Sequence, residues 1–207
     1  MPYEHRWNNL WRQFGVSEPE PGLLSSLLER YREAHRRYHT LQHLDACLAH
    51  FDAVREQAQH AEEVEMALWF HDAIYQVRDA SNEVLSAEWA SSALLQVHVD
   101  AQSARRVHAL IMVTNHQTEP RTPDEALLLD IDLAILGAPP AQFDAYEKQV
   151  REEFASIPED AFRSGRRKIL TMFMDRAPIY RTPGFRQRFE QQAKLNLGKS
   201  LSALGSG

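Results

Sequence analysis

His71 and Asp72 lie inside the apolar run ALWFHDAIY, and His39 and His43 precede them in RRYHTLQHL. Asp130 and Asp132 interrupt a second apolar run, ALLLDIDLAIL. A buried, unpaired carboxylate costs several kcal/mol, so acids in such runs are paired, hydrogen-bonded or bound to a metal. A divalent cation would neutralise the acids and use the imidazoles as ligands. These residues therefore point to a metal site in a helical core.

Helical spacing sorts the candidates. Residues four apart share a face, so His39 and His43 can point the same way; alternatively His39 precedes the helix and leans over an ion held by His43. His71 shares a face with Val64 and Leu68, while Asp72 is turned about 100° away. Two readings stay open here: Asp72 orients a buried histidine, or both side chains reach one ion. Asp130 and Asp132 are about 200° apart on a helix and do not readily face one ion. Asp132 has Leu128, Leu129, Ile135 and Leu136 as its helical neighbours and is the better ligand candidate. Asp130 is then a supporting or structural acid. An N2O2 ligand set suits one divalent ion among Mn, Mg, Fe, Co, Ni and Zn, with positions left for water and substrate. No CxxC pair is present, which disfavours a structural thiolate zinc site. Arg36 and Arg37 stand directly before the first histidines. An arginine fork binds two phosphate oxygens at once, so Arg36 is a substrate-binding candidate.

The elements that must carry these residues read at a helical period throughout. Trp7, Leu10, Trp11 and Phe14 mark a first helix over 4–14, and further helices are expected over about 22–36, 40–59 and 61–75. The last of these carries the His-Asp pair. Ser81 or Asn82 caps the next helix, with Glu83 in its first turn, and Asp100 opens another. Pro123 fits the first turn of the helix bearing Asp130 and Asp132. Prolines at 139, 140, 158, 178 and 183 punctuate three more. The expected fold is an all-α, single-domain bundle of about nine helices over residues 1–200, with 201–207 a frayed tail.

Composition bounds the partners. The 207 residues are 43% apolar and 25% charged, enough for a sizeable core, and the net charge of −6 argues against nucleic acid or an anionic membrane surface. The single cysteine, Cys47, can form no internal disulfide. The stretch MPYEHRWNNLWRQFG lacks the apolar core of a signal peptide, and no run approaches a membrane span. A cytoplasmic protein is expected, and a homodimer is compatible with the sequence.

Together these residues resemble the HD superfamily of metal-dependent phosphohydrolases, with its His, then His-Asp, then distant Asp on successive helices. The chain is similar to a bacterial subgroup of predicted HD phosphohydrolases through RxYHxxxH, FHDxxY, NExxSA (Asn82, Glu83, Ser86, Ala87), TxH (Thr114, His116), LDxDLxxLG and YxxxVRxE (Tyr146, Val150, Arg151, Glu153). The resemblance implies an HD-type helical domain and His43, His71, Asp72 and Asp132 as ligands of one divalent ion. RRYHTLQHL is also similar to the YHNxxH start of cyclic-nucleotide phosphodiesterases, with Thr40 in place of Asn. That likeness implies His39 as the general acid that protonates the leaving oxygen. The implied activity is hydrolysis of a nucleotide or other small phosphate ester or anhydride, with His39 and Asp72 in the catalytic centre. Asn82, Glu83, His116 and Arg151 join Arg36 as candidates for contacting that substrate. Two other readings are a nucleotide sensor without turnover and a di-iron oxygenase of the HD type, which would enlist His98 and His116.

Overall fold

The computed structural model describes residues 2–205, which form ten α-helices and three short 3-10 turns with no strand. The expected all-α class holds. The chain divides into two compact units, and the division falls between Leu128 and Leu129, inside a helix rather than a linker.

The first unit holds α1 (Pro2–Gln13), α2 (Leu23–Arg30), α3 (Leu41–Asp52), α4 (Ala61–Phe70), α5 (Asn82–Gln96), α6 (Ala101–Met112) and the start of α7 (Pro123–Asp132). Its core is built on α4, where every residue from Glu63 to Phe70 is buried against α1, α3, α5 and α6. Trp7 of α1 meets Trp69 edge-on at 5.2 Å, a favoured arrangement for aromatic quadrupoles. Two buried glutamates on α4 would be ruinous without partners. Glu63 takes both donors of Arg106 at 2.6 and 2.7 Å, and Glu65 takes Arg6 at 2.6 Å and pairs with Arg55. Asp100 caps α6 by accepting from the Gln102 and Ser103 amides, as expected. Pro123 opens α7, also as expected.

The second unit holds the 3-10 segment Leu133–Gly137, α8 (Pro140–Glu153), α9 (Glu159–Met174) and α10 (Pro183–Gly205). Helix α10 runs hard against the 3-10 segment. A Cβ on Gly137 would lie 2.6–2.7 Å from Phe189, so only glycine permits this approach. Asn196 brackets the same point, donating from Nδ2 to the carbonyls of Leu136 and Ala138 at 2.8 and 2.9 Å.

The differences from expectation lie at the helix ends. The predicted helices over 22–36, 40–59 and 61–75 stop early, at Arg30, Asp52 and Phe70. Residues 31–40 and 71–81 are turns instead, and both carry chemistry-bearing side chains. The predicted tail from 201 is helical to Gly205, with 206–207 outside the described residues. No single helix is long and apolar enough to cross a membrane.

Candidate metal centre

Three elements of the first unit bring the candidate ligands together. Thr40 caps α3, its hydroxyl accepting from the Gln42 amide at 3.3 Å. His43 thereby falls in the first turn of α3, and its side chain is buried. His71 ends α4, with its amide still donating to the Ala67 carbonyl at 2.8 Å. Asp72 lies just past that end. The pair therefore sits at a helix C-terminus rather than within a helix, where the macrodipole favours a cation.

The three side chains converge on one point. Nε2 of His43 is 3.1 Å from Nε2 of His71, and Oδ2 of Asp72 is 3.5 and 3.1 Å from those two nitrogens. A circle through the three atoms has a radius of about 1.9 Å, close to the usual metal–ligand distances of about 2.0–2.2 Å, so the three atoms could hold one ion. Nδ1 of His71 donates to the Leu68 carbonyl at 2.9 Å, which turns the lone pair of Nε2 toward the carboxylate. Two lone pairs at that range repel unless a cation or proton lies between them. Oδ2 of Asp72 is buried with no hydrogen-bond donor among the described residues. Burial opposes ionisation of Asp72, but His71, His39 and His43 outweigh it and hold the carboxyl well below the usual carboxylate range. The donor set fits a divalent ion.

Cys47, one turn after His43 on α3, was not among the expected site residues. It is buried, and His43, Cys47 and His71 each offer a ligand atom within 4.8 Å of the others, so the group could hold a metal. The available signal was its i+4 spacing from His43. Its Sγ lies 3.8 Å from Nδ1 and 3.7 Å from Nε2 of His43. A sulfur sharing an ion with Nε2 would lie beyond that nitrogen. Near-equal distances put it beside the ring, as a packing neighbour.

His39 occupies the turn before α3, half-buried, and not the helix itself. Its ring centroid is 6.0 Å from that of His43 and stacks on Tyr75 at 4.2 Å. Arg36 does not face outward to substrate as its sequence position suggested. Its side chain is 0% exposed, and its donors go to Glu33 and to the carbonyls of His39, Asp72 and Ala73 at 2.6–3.2 Å. It is a clamp that ties the His39 turn to the end of α4. Every N–H of the guanidinium is spent, so none is left for a phosphate.

Asn82 is likewise committed. It accepts from the Gln76 amide at 2.9 Å and donates to the Gln76 carbonyl at 2.8 Å, instead of meeting a substrate. Ser81 occupies the capping position of α5 without a side-chain cap bond. Glu83 sits half-buried in the first turn of α5 and makes no side-chain hydrogen bond among the described residues. His116 takes a left-handed conformation, φ 57°, after the 3-10 turn Val113–Asn115. His98 is exposed and takes a left-handed conformation, φ 63°.

In the second unit, Asp130 is a structural acid. It accepts from the Arg181 and Thr182 amides at 2.7 and 2.6 Å and from the Thr182 hydroxyl at 2.7 Å, holding the approach to α10. Arg151, expected at a substrate, instead closes α8. It donates to Glu159 at 2.9 Å and to the Phe154 and Ile157 carbonyls, and lies over Phe162. Asp132 ends α7 and is half-buried. Burial raises the Tyr146 phenol, Arg166 opposes this, and the charges of Glu147 and Asp132 add to it.

No family model, curated protein or solved structure matches this chain.

Proposed function

We propose that this chain is a metal-dependent phosphohydrolase of the HD type, acting on a nucleotide or another small phosphate ester or anhydride. One observation carries the proposal: His43, His71 and Asp72 aim three donor atoms at one point, and the Leu68 carbonyl fixes the His71 tautomer for ligation. A divalent ion there would supply a Lewis acid for a phosphoryl oxygen and acidify a water. Asp132 is assigned as the fourth ligand on the resemblance of its LDxDL segment to the family motif.

The chain's own residues do the rest. Asp72 neutralises charge and, with the two imidazoles, leaves part of the coordination sphere to substrate. His39, on its turn beside the ligands, donates the proton that the leaving oxygen takes up as the P–O bond breaks. Arg36 keeps the acid and the His-Asp pair in register without touching substrate. A reducing compartment such as the cytoplasm suits the lone buried thiol of Cys47.

The test is phosphate or pyrophosphate release across a panel of nucleotides and phosphate esters, with Mn, Mg, Co, Ni, Zn or Fe(II) supplied in turn. Activity should require the metal and vanish in His71→Ala and Asp72→Asn. Turnover that survives both substitutions would sink the assignment. Tight nucleotide binding without turnover would replace it with a sensor.

A further inference from the structure

The general acid assigned above is held in place by a ring, and the ring is held by a second helix. Tyr75 lies four residues past His71, and its phenol stacks on His39 with centroids 4.2 Å apart and planes 27° apart. No helix holds this part of the chain, since residues 71–81 form a turn. A tyrosine on a loose turn could not fix anything. The peptides on both sides of it are pinned by α5, however. Ser86 accepts from the Ile74 amide at 3.0 Å, and Asn82 accepts from the Gln76 amide while donating to its carbonyl. Both side chains are buried, so breaking these bonds would strand polar groups away from water. His35 adds a third tie, its Nε2 lying 2.8 Å from the Tyr75 carbonyl. Arg36 also reaches the His39 carbonyl and lies 5.5 Å from the Tyr75 ring centroid.

We infer that Tyr75 is a positioning residue for the reaction: clamped by Asn82 and Ser86, its ring sets the angle at which His39 delivers its proton to the leaving oxygen. This rests on the hydrolase reading above. It also gives the Asn82–Ser86 pair of α5 a task, which is to stiffen the Tyr75 turn rather than meet the substrate. The ring face does the positioning, so phenylalanine should serve nearly as well and an aliphatic side chain should not.

Leaving-group dependence separates this role from a merely structural one. An alkyl phosphate needs its leaving oxygen protonated, whereas p-nitrophenolate departs without help. In the metal-loaded full-length protein, Tyr75→Leu should lower kcat on an alkyl phosphate by roughly 10- to 100-fold, the scale for a misplaced general acid. The same variant should lower kcat on p-nitrophenyl phosphate by less than about threefold, and Tyr75→Phe should restore the alkyl rate. Asn82→Ala should reproduce the selective loss in weaker form. Metal content and thermal midpoint, measured on each variant, identify any that fail to fold. A turnover-free readout accompanies these. The ring protons of His39 should carry an upfield ring-current shift in NMR spectra, kept in Tyr75→Phe and lost in Tyr75→Leu. Equal losses on both esters, no loss on either, or an unshifted His39 in the wild type would overturn the inference while leaving the hydrolase reading intact. A wild-type protein inert to every ester with metal bound would remove the hydrolase reading and, with it, the catalytic role of Tyr75.

Discussion

Nε2 of His71 lies 3.1 Å from Oδ2 of Asp72, while Nδ1 of the same ring donates to the Leu68 carbonyl. With Nδ1 spent on the Leu68 carbonyl, only Nε2 is left to face the carboxylate, and a cation held between the two would stabilise the pair. Metal binding is the first consequence to measure. His43→Ala, His71→Ala and Asp72→Asn should each weaken Mn or Zn binding by more than about 100-fold, beyond the loss of an outer hydrogen-bond partner. Calorimetric titration or metal analysis of the purified variants checks this. Cys47→Ser should stay within a few-fold of wild type. A serine variant as impaired as His71→Ala would make the thiol a ligand.

Arg36 should matter for stability more than for substrate affinity. Its guanidinium is fully buried and serves three backbone carbonyls and Glu33. Removing a buried, fully paired charge costs about 3–5 kcal/mol, and Arg36→Ala should reach that range in urea unfolding. Lysine cannot reproduce the fork, so Arg36→Lys should recover only part of the loss. A raised KM with unchanged stability in either variant would instead return Arg36 to the substrate.

Gly137 gives the second unit an independent test. Its missing Cβ lets the Phe189 backbone approach, and Gly137→Ala would place that carbon 2.7 Å from the Phe189 carbonyl oxygen. The atoms it would meet are the Cβ, Cα and carbonyl oxygen of Phe189, none of them the far end of a flexible side chain. A loss of about 1–3 kcal/mol is expected from overpacking, read from chemical denaturation. A neutral substitution would show that α10 can slide from the 3-10 segment at little cost.

Asp130 should respond to pH in the direction opposite to Asp79, Asp100 and Glu190. Burial raises its pKa, and the bonds from Thr182 and Arg181 offset this only in part. A carboxyl whose folded pKa lies above its unfolded value pays for ionisation in the native state at neutral pH. That cost is relieved as pH falls through the folded pKa. Relative to Asp130→Asn, which does not titrate, the wild type should therefore gain stability between pH 7 and pH 4. Asp79, Asp100 and Glu190 run the other way. Hydrogen bonds lower each of them below the ordinary range, more than overcoming burial at Glu190, so their contribution is present above pH ~4 and fades in acid. A wild type that loses stability relative to Asp130→Asn as the pH falls from 7 to 4 would contradict the assignment.

Much of the fold was legible because helices bury a stripe and the stripe repeats. Trp7, Leu10 and Trp11 announced α1 by spacing alone, and Asp100 and Pro123 marked helix starts through the orphan amides that every helix presents. The same local logic gave Asp132 the more apolar setting, whereas Asp130 is the buried acid and Asp132 is half-buried. It could not place helix ends that depend on partners far along the chain. Apolar periodicity runs on past Phe70, yet α4 stops there and the chain turns away where Ser86 and Asn82 hold it.

The candidate site divides along the same line. The sequence by itself singled out His43 and His71 as candidate metal ligands, because imidazoles in apolar runs require a partner wherever they fold, but it passed over Cys47. Only the tertiary structure decided which charges were already spoken for. Arg36, Asn82 and Arg151 are candidate substrate contacts in one dimension, and in three each already bonds backbone carbonyls many residues away or around a corner. Hydrogen-bond partners of that kind leave no periodicity to read, since a carbonyl is present at every position. The same holds for the stack of Tyr75 on His39, which joins two turns that local sequence could only describe as breaks.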